Sequence, residues 1–200
     1  ARYVPPAVVD ALMASGAMAH VHGERRVLTL LFCDLAGFTA ASETLAPEAV
    51  ARALNAYFTR MAHCVRSHGA TLDKFIGDAV MAFWNAPLPD AAHAARGLAC
   101  AQAMQADMEL LRSDWRGTPF AAVRLRVGVH TGEAAVGHMG STERFTYTAV
   151  GDAVNTAARL EGANKALGTE ILVSGATVDT LDAQLQGTLL WLDCVLLAGR

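Results

Sequence analysis

The sequence predicts an α+β domain with a ferredoxin-like β-α-β-β-α-β core, an antiparallel sheet with helices packed on one face. Three observations carry that prediction. Strand-like runs rich in Val, Leu and Phe alternate with stretches whose apolar residues recur every three to four positions. Two strand runs, 70–76 and 79–84, are separated only by Gly77-Asp78, a tight hairpin turn. Apolar residues make up 53% of the 200, ample for one sizeable core.

Taken in order, residues 3–15 begin Tyr3-Val4-Pro5-Pro6 and read as a short proline-started helix. A connector of small and polar residues follows, so residues 1–24 form a linker and the main domain runs over 25–200. The first strand spans about 26–34. Pro47-Glu48 opens a helix whose Val50, Leu54, Tyr57, Phe58, Met61 and Val65 share one face. After the hairpin, Asp90 caps a second helix with Ala94, Leu98, Ala101, Met108 and Leu111 facing inward. A strand over 123–129 alternates basic and apolar residues. Glycines 132, 137 and 140 then break the chain into loops and short strands. A strand at 144–150 leads through Gly151 into a helix over 152–166. Short elements near 170–173, 174–181 and 189–197 complete the chain.

Charge and composition exclude several classes. A net charge of −3 and a pI near 6.2 leave no basic footprint for nucleic acid. No run approaches the ~20 apolar residues that cross a bilayer, and no signal peptide opens the chain. Cys33, Cys64, Cys100 and Cys194 lie far apart without a C-x-x-C pair, which favours reduced thiols in a cytoplasmic setting. His20 and His22 lack zinc spacing and sit in a polar connector.

The chemistry concentrates on two aspartates. Asp34 ends an apolar run and Asp78 stands between two more, where a carboxylate losing its hydration needs a cation or a hydrogen-bonding shell. Two such groups on neighbouring strands suit a pair of hard divalent ions, although a capped structural Asp also explains either one alone. Behind Asp34, the passage Leu35-Ala36-Gly37-Phe38-Thr39 turns from strand to helix, Gly37 letting backbone approach backbone. Its free amides suit phosphate oxygens; an ordinary tight turn is the plainer reading. Lys74, by spacing alone, is a solvated edge charge. Asn155 and Arg159 lie one helical turn apart on one face, placed for a ribose and a crowded phosphate unless Arg159 pairs with Glu161 or Glu170.

Four segments give these residues a common context: Phe32-Cys33-Asp34-Leu35-Ala36-Gly37-Phe38-Thr39, Lys74-Phe75-Ile76-Gly77-Asp78, Arg126-Val127-Gly128-Val129-His130-Thr131-Gly132 and Tyr147-Thr148-Ala149-Val150-Gly151-Asp152-Ala153-Val154-Asn155. In that order and spacing, the chain resembles the catalytic domain of the class III nucleotidyl cyclases, of the bacterial adenylyl type, from about Arg25 onward. The segment around Tyr3 to Val9 resembles the linker that follows sensor or membrane regions in bacterial members.

The resemblance implies a role for each position. Asp34 and Asp78 match the metal-binding aspartates and the Leu35 carbonyl the backbone ligand, for two Mg²⁺ or Mn²⁺ per site. Lys74 matches the residue that reads the purine and Thr148 its partner, a combination that goes with adenine. A lysine donor suits adenine N1, a bare acceptor, and would oppose the N1–H of guanine. Asn155 and Arg159 match the residues that orient the ribose and stabilise the transition state. Arg126 matches an arginine reaching the terminal phosphates. Arg200 is the candidate for a C-terminal phosphate-holding cation, since Ala198 stands where a basic residue is common and the last strand looks cut short.

In such enzymes the metal-binding and base-reading sets come from opposite subunits. The resemblance therefore implies a head-to-tail homodimer with ATP as substrate, attached to an upstream sensor or membrane region. The implied reaction makes cyclic AMP and pyrophosphate from ATP. The alternatives are a guanylyl cyclase, against which Lys74 argues, and a non-catalytic regulatory dimerisation domain, against which the intact residue set argues. A diguanylate cyclase or polymerase palm would need an acidic Gly-Gly-x-x-Phe-type signature that is missing. Thr148 in place of Asp is also found in members that respond to bicarbonate.

Overall fold

The computed structural model describes residues 23–141, 145–192 and 194. The N-terminal helix, the His20/His22 pair and Arg200 lie outside them. Strand β1 (Glu24–Ala36) is central, pairing antiparallel with β3 (Ala79–Trp84) on one side and β4 (Arg124–Gly140) on the other. Strand β2 (Thr71–Ile76) extends the β3 edge, and β5 (Phe145–Val150) extends β4. The order β2-β3-β1-β4-β5 contains the ferredoxin-like arrangement. One pair departs from the antiparallel expectation: β6 (Ile171–Val173) lies parallel to β4 at Val127–Val129.

Period-two alternation along β1 builds two cores, one on each side of the sheet. Leu31, Cys33 and Leu35 point to the face covered by α2 (Pro47–Ser67) and α3 (His93–Asp114). There they meet Tyr57, Met61 and Val65 of α2 and Cys100, Met104 and Met108 of α3, all buried. Leu28 and Leu30 point the other way, into a smaller cluster with Met81, Phe83, Ala149 and two alanines of α4 (Asp152–Leu167), Ala153 and Ala157. Helices therefore cover both faces, not one. The sequence shows each helix's apolar stripe but not which side of the sheet receives it.

Two further expectations are corrected. The 17-residue β4 runs unbroken through Gly132 and Gly137 to Gly140, glycines that read as breaks because glycine is poor in strands. At Gly128 a Cβ would stand 2.3 Å from the Glu161 nitrogen and 2.5 Å from the Ala157 carbonyl oxygen, so α4 lies directly on the strand there. Asp90 does not cap α3, whose N-cap is Ala92; its Oδ1 accepts from the Ala92 N–H at 2.9 Å, within the preceding turn.

The tail folds into two short helices, α5 (Gly175–Val178) and α6 (Ala183–Gln186), and Leu181, Leu185 and Leu189 pack near Ala94 and Leu98 at the start of α3. No strand forms at 189–192; the remainder of that expected element falls almost wholly outside the described residues. The thiols of Cys33, Cys64 and Cys100 are free and buried, while Cys194 is exposed. Among the described residues, no helix is long and apolar enough to cross a membrane.

Candidate active site

Because alternation sends even-numbered β1 residues toward α4, Asp34 emerges on that side, directly opposite Arg126 in the β1–β4 register. Arg126 Nη2 lies 3.5 Å from Asp34 Oδ2, and its Nε lies 3.2 Å from Glu161 Oε1 on α4. The Arg126 and Glu161 side chains are only 18% and 15% exposed, and neither Nε nor Oε1 completes an aligned hydrogen bond. Glu161 was weighed in the sequence only as a surface partner for Arg159. The structure gives it to Arg126.

Asp78 joins this group from the β2–β3 turn, where Gly77 takes a left-handed φ of 63° that L side chains rarely adopt. Burial lifts the Asp78 carboxyl above its ordinary range, and the neighbouring Asp34 charge lifts it further, with a direct contact between the two. Backbone N–H groups of Asp78 and Leu35 pull it back. Burial likewise raises Glu161; Arg126 opposes the rise, and Asp34 and Asp78 add to it. Asp34 and Glu161 thus flank one guanidinium while Asp78 presses on Asp34, an excess of negative charge that a cation would relieve.

That donor set fits a hard divalent ion. Two carboxylates press on each other beside the Leu35 backbone, all oxygen donors of the kind Mg²⁺ takes together with substrate phosphates. Among the described residues, no three His, Cys, Asp or Glu side chains form a complete metal cage. An ion here would draw its other ligands from carbonyl, substrate and water.

The passage after Asp34 does not all face a ligand. Leu35 is buried in the core, and the Phe38 ring stacks on Phe120 with centroids 5.2 Å apart, so Phe38 has only its backbone to offer. Ala36 ends β1, and Thr39 is exposed at the start of α1 (Phe38–Ser42). Gly37 is there for its φ of 85°, not for close approach, because a Cβ would meet nothing within 4 Å.

A second group forms where β2 and β5, the two ends of the sheet path, meet through side chains. Lys74 Nζ donates to Thr148 Oγ1 at 3.2 Å, and Thr148 Oγ1 donates to Asp73 Oδ2 at 2.6 Å. Asp73 Oδ1 lies 3.5 Å from Lys74 Nζ. Lys74 is therefore no free edge charge, although its side chain is 42% exposed. Asp73, whose side chain is fully buried, escaped the sequence reading. The cause is a β-bulge: the register passes from Leu72–Ala82 to Lys74–Met81, leaving Asp73 as the extra residue. No sequence pattern announces it.

On α4, Asn155 is exposed and Arg159 half-buried, one turn apart as their spacing required. Neither Glu161 nor Glu170 forms an ion pair with Arg159 among the described residues. No hydrogen bond or ion pair among them joins Asn155 and Arg159 to the Asp34 or Lys74 groups.

Comparison with known proteins gives this arrangement a context. Residues 21–196 match the family model described as the adenylate and guanylate cyclase catalytic domain. Adenylate cyclase 1 of Rhizobium meliloti is 42% identical over 178 residues, covering 89% of this chain and 27% of that protein. The chain thus spans well under a third of that relative's length. Among solved structures, the adenylyl cyclase CyaB of P. aeruginosa superposes with a TM-score of 0.72 at 36% identity, covering 79% of this chain and 81% of that one. The guanylyl cyclase Cya2 superposes equally well, with a TM-score of 0.72 at 36% identity over 80% of each chain.

Proposed function

The chain belongs to the family of adenylate and guanylate cyclase catalytic domains, and we propose that it is an adenylyl cyclase, converting ATP to 3′,5′-cyclic AMP and pyrophosphate for signalling. Overall fold does not separate ATP from GTP, since an adenylyl and a guanylyl cyclase resemble the chain to the same degree. The observation that carries the choice is the Lys74–Thr148 contact of 3.2 Å. It presents an ammonium donor to adenine N1, where guanine would bring an opposing N1–H.

In the proposed reaction the ribose 3′-oxygen bonds to the α-phosphorus, the bond from that phosphorus to the bridging oxygen breaks, and pyrophosphate leaves. Mg²⁺ or Mn²⁺ held by Asp34, Asp78 and the Leu35 carbonyl, two ions to a site, would acidify the 3′-hydroxyl and neutralise the leaving group. The hydroxyl proton passes to water, as no candidate side chain is set as its base. Asn155 orients the ribose. Arg159 meets charge growing on the α-phosphoryl oxygens. Arg126 offers the terminal phosphates its remaining N–H groups, and the amides from Ala36 to Thr39 line the triphosphate's path. Arg200, outside the described residues, is assigned to the same phosphates.

The site is proposed to lie between two copies of the chain, Asp34, Asp78 and Arg126 coming from one protomer and Lys74, Thr148, Asn155 and Arg159 from its partner. Such a unit would work in the cytoplasm, behind an upstream sensor or membrane region. Incubating the purified chain with Mn²⁺ and either ATP or GTP, then quantifying the cyclic products, tests the reading. Cyclic AMP should dominate. A preference for GTP would reverse the base assignment, and no product from either nucleotide would favour a regulatory dimerisation domain.

A further inference from the structure

The buried Asp73 has no place in the reaction just described, yet it makes the shortest side-chain contact in the base-reading group. Thr148 carries one hydroxyl proton and two lone pairs. The proton is committed to Asp73 Oδ2 at 2.6 Å. Its nearest alternative is the Ala149 carbonyl at 3.5 Å. One lone pair receives the Lys74 ammonium at 3.2 Å. What remains for a ligand is a single lone pair, so this hydroxyl, ordinarily able to donate or accept, presents an acceptor only.

We propose that Asp73 is a specificity-determining positioning residue: by holding the Thr148 proton it makes Thr148 accept from the exocyclic amine of adenine and oppose the O6 acceptor of guanine. The inference rests on the reading of Lys74 and Thr148 as the base-recognition pair. The amine donor of adenine and the carbonyl acceptor of guanine occupy equivalent places beside N1, so fixing one hydroxyl rotor separates the two bases. A free rotor would adapt to either. The bulge supplies the geometry, because an extra residue breaks strict alternation and lets the consecutive Asp73 and Lys74 both reach Thr148. Asp73 Oδ1, buried and without a hydrogen-bond partner, also keeps the Lys74 ammonium near by charge alone. A threonine backed by an aspartate thereby behaves as a carboxylate acceptor would, without placing a second charge against the base.

The test is the ratio of kcat/KM for ATP to that for GTP in the full chain. Asp73→Leu keeps the branching of the side chain and removes the acceptor; the ratio should fall about tenfold or more, a size expected when a polar contact to the base loses its direction. Asp73→Asn retains an acceptor oxygen and should keep most of the selectivity. Thr148→Val should lower the ratio as Asp73→Leu does, and Asp73→Leu added to Thr148→Val should lower it no further. An Asp73→Leu enzyme that loses ATP and GTP turnover equally overturns the proposal, as does a further fall in the double variant. If circular dichroism shows Asp73→Leu unfolded, the other two single variants decide: Thr148→Val with the parental ratio, or Asp73→Asn without it, overturns the role. A parental chain that prefers GTP sinks the adenine reading itself, and this is seen before any variant is made.

Discussion

Two arginines near the α4 side of the sheet differ in their commitments, and that difference assigns their work. Arg126 is held between Asp34 and Glu161, so its charge is partly spent before any nucleotide arrives. Arg159 is half-buried and has no carboxylate partner among the described residues, leaving its full charge for a ligand. A cation in that condition contributes most where negative charge develops during the reaction, and little to ground-state binding. Arg159→Ala should therefore lower kcat by roughly 10²–10³, about 3–4 kcal/mol of transition-state stabilisation, with a much smaller change in KM for ATP. Steady-state kinetics on the purified variant reads both. A variant with parental kcat, or one affected only in KM, would remove Arg159 from the reacting centre.

At the scale of elements, α4 lies directly on β4 at Gly128, where the obstructing atoms are helix backbone and cannot rotate aside. Gly128→Ala should push α4 off the sheet and cost about 3 kcal/mol or more, toward the upper end for overpacked cores. Urea unfolding monitored by circular dichroism would measure it; a loss below about 1 kcal/mol would mean the helix shifts cheaply. The same helix-on-strand packing recurs at Gly132, where a Cβ would stand 3.1 Å from the Ala153 Cβ. The faces of α2 and α3 were legible because Tyr57, Met61 and Val65, or Leu98, Ala101 and Met108, repeat at helical spacing whatever they pack against. The length of β4 was not, because glycines required for close packing look the same in sequence as glycines required for turns. Asp34 and Asp78 stood out against apolar neighbours, and Asn155 and Arg159 through their spacing. Asp73 and Glu161 did not, since one depends on a bulge and the other on a helix-to-sheet contact between residues 35 positions apart.

For the whole molecule, the question is why one chain carries two groups of candidate residues that no described contact connects. Asp34, Asp78, Arg126 and Glu161 form one group, bound together by charge; Asp73, Lys74 and Thr148 form the other, bound by a chain of hydrogen bonds. If a nucleotide needs both groups, and a two-fold axis brings the first group of one copy against the second group and the α4 residues of its mate, every homodimer holds two equivalent sites. That arrangement makes a prediction independent of any single residue's chemistry. Asp78→Ala and Arg159→Ala chains should each be nearly inactive alone, since each spoils both sites of its homodimer. Mixed, they form heterodimers in which one site carries both lesions and the other carries neither. With random pairing, half of the dimers are mixed and each holds one intact site of its two, so about a quarter of parental activity should return. Activity of the mixture is measured against each variant alone at equal total concentration. A mixture no more active than its parts, with exchange of chains confirmed by a tag on one variant, would place both residues in the same protomer's site and rule out the shared arrangement.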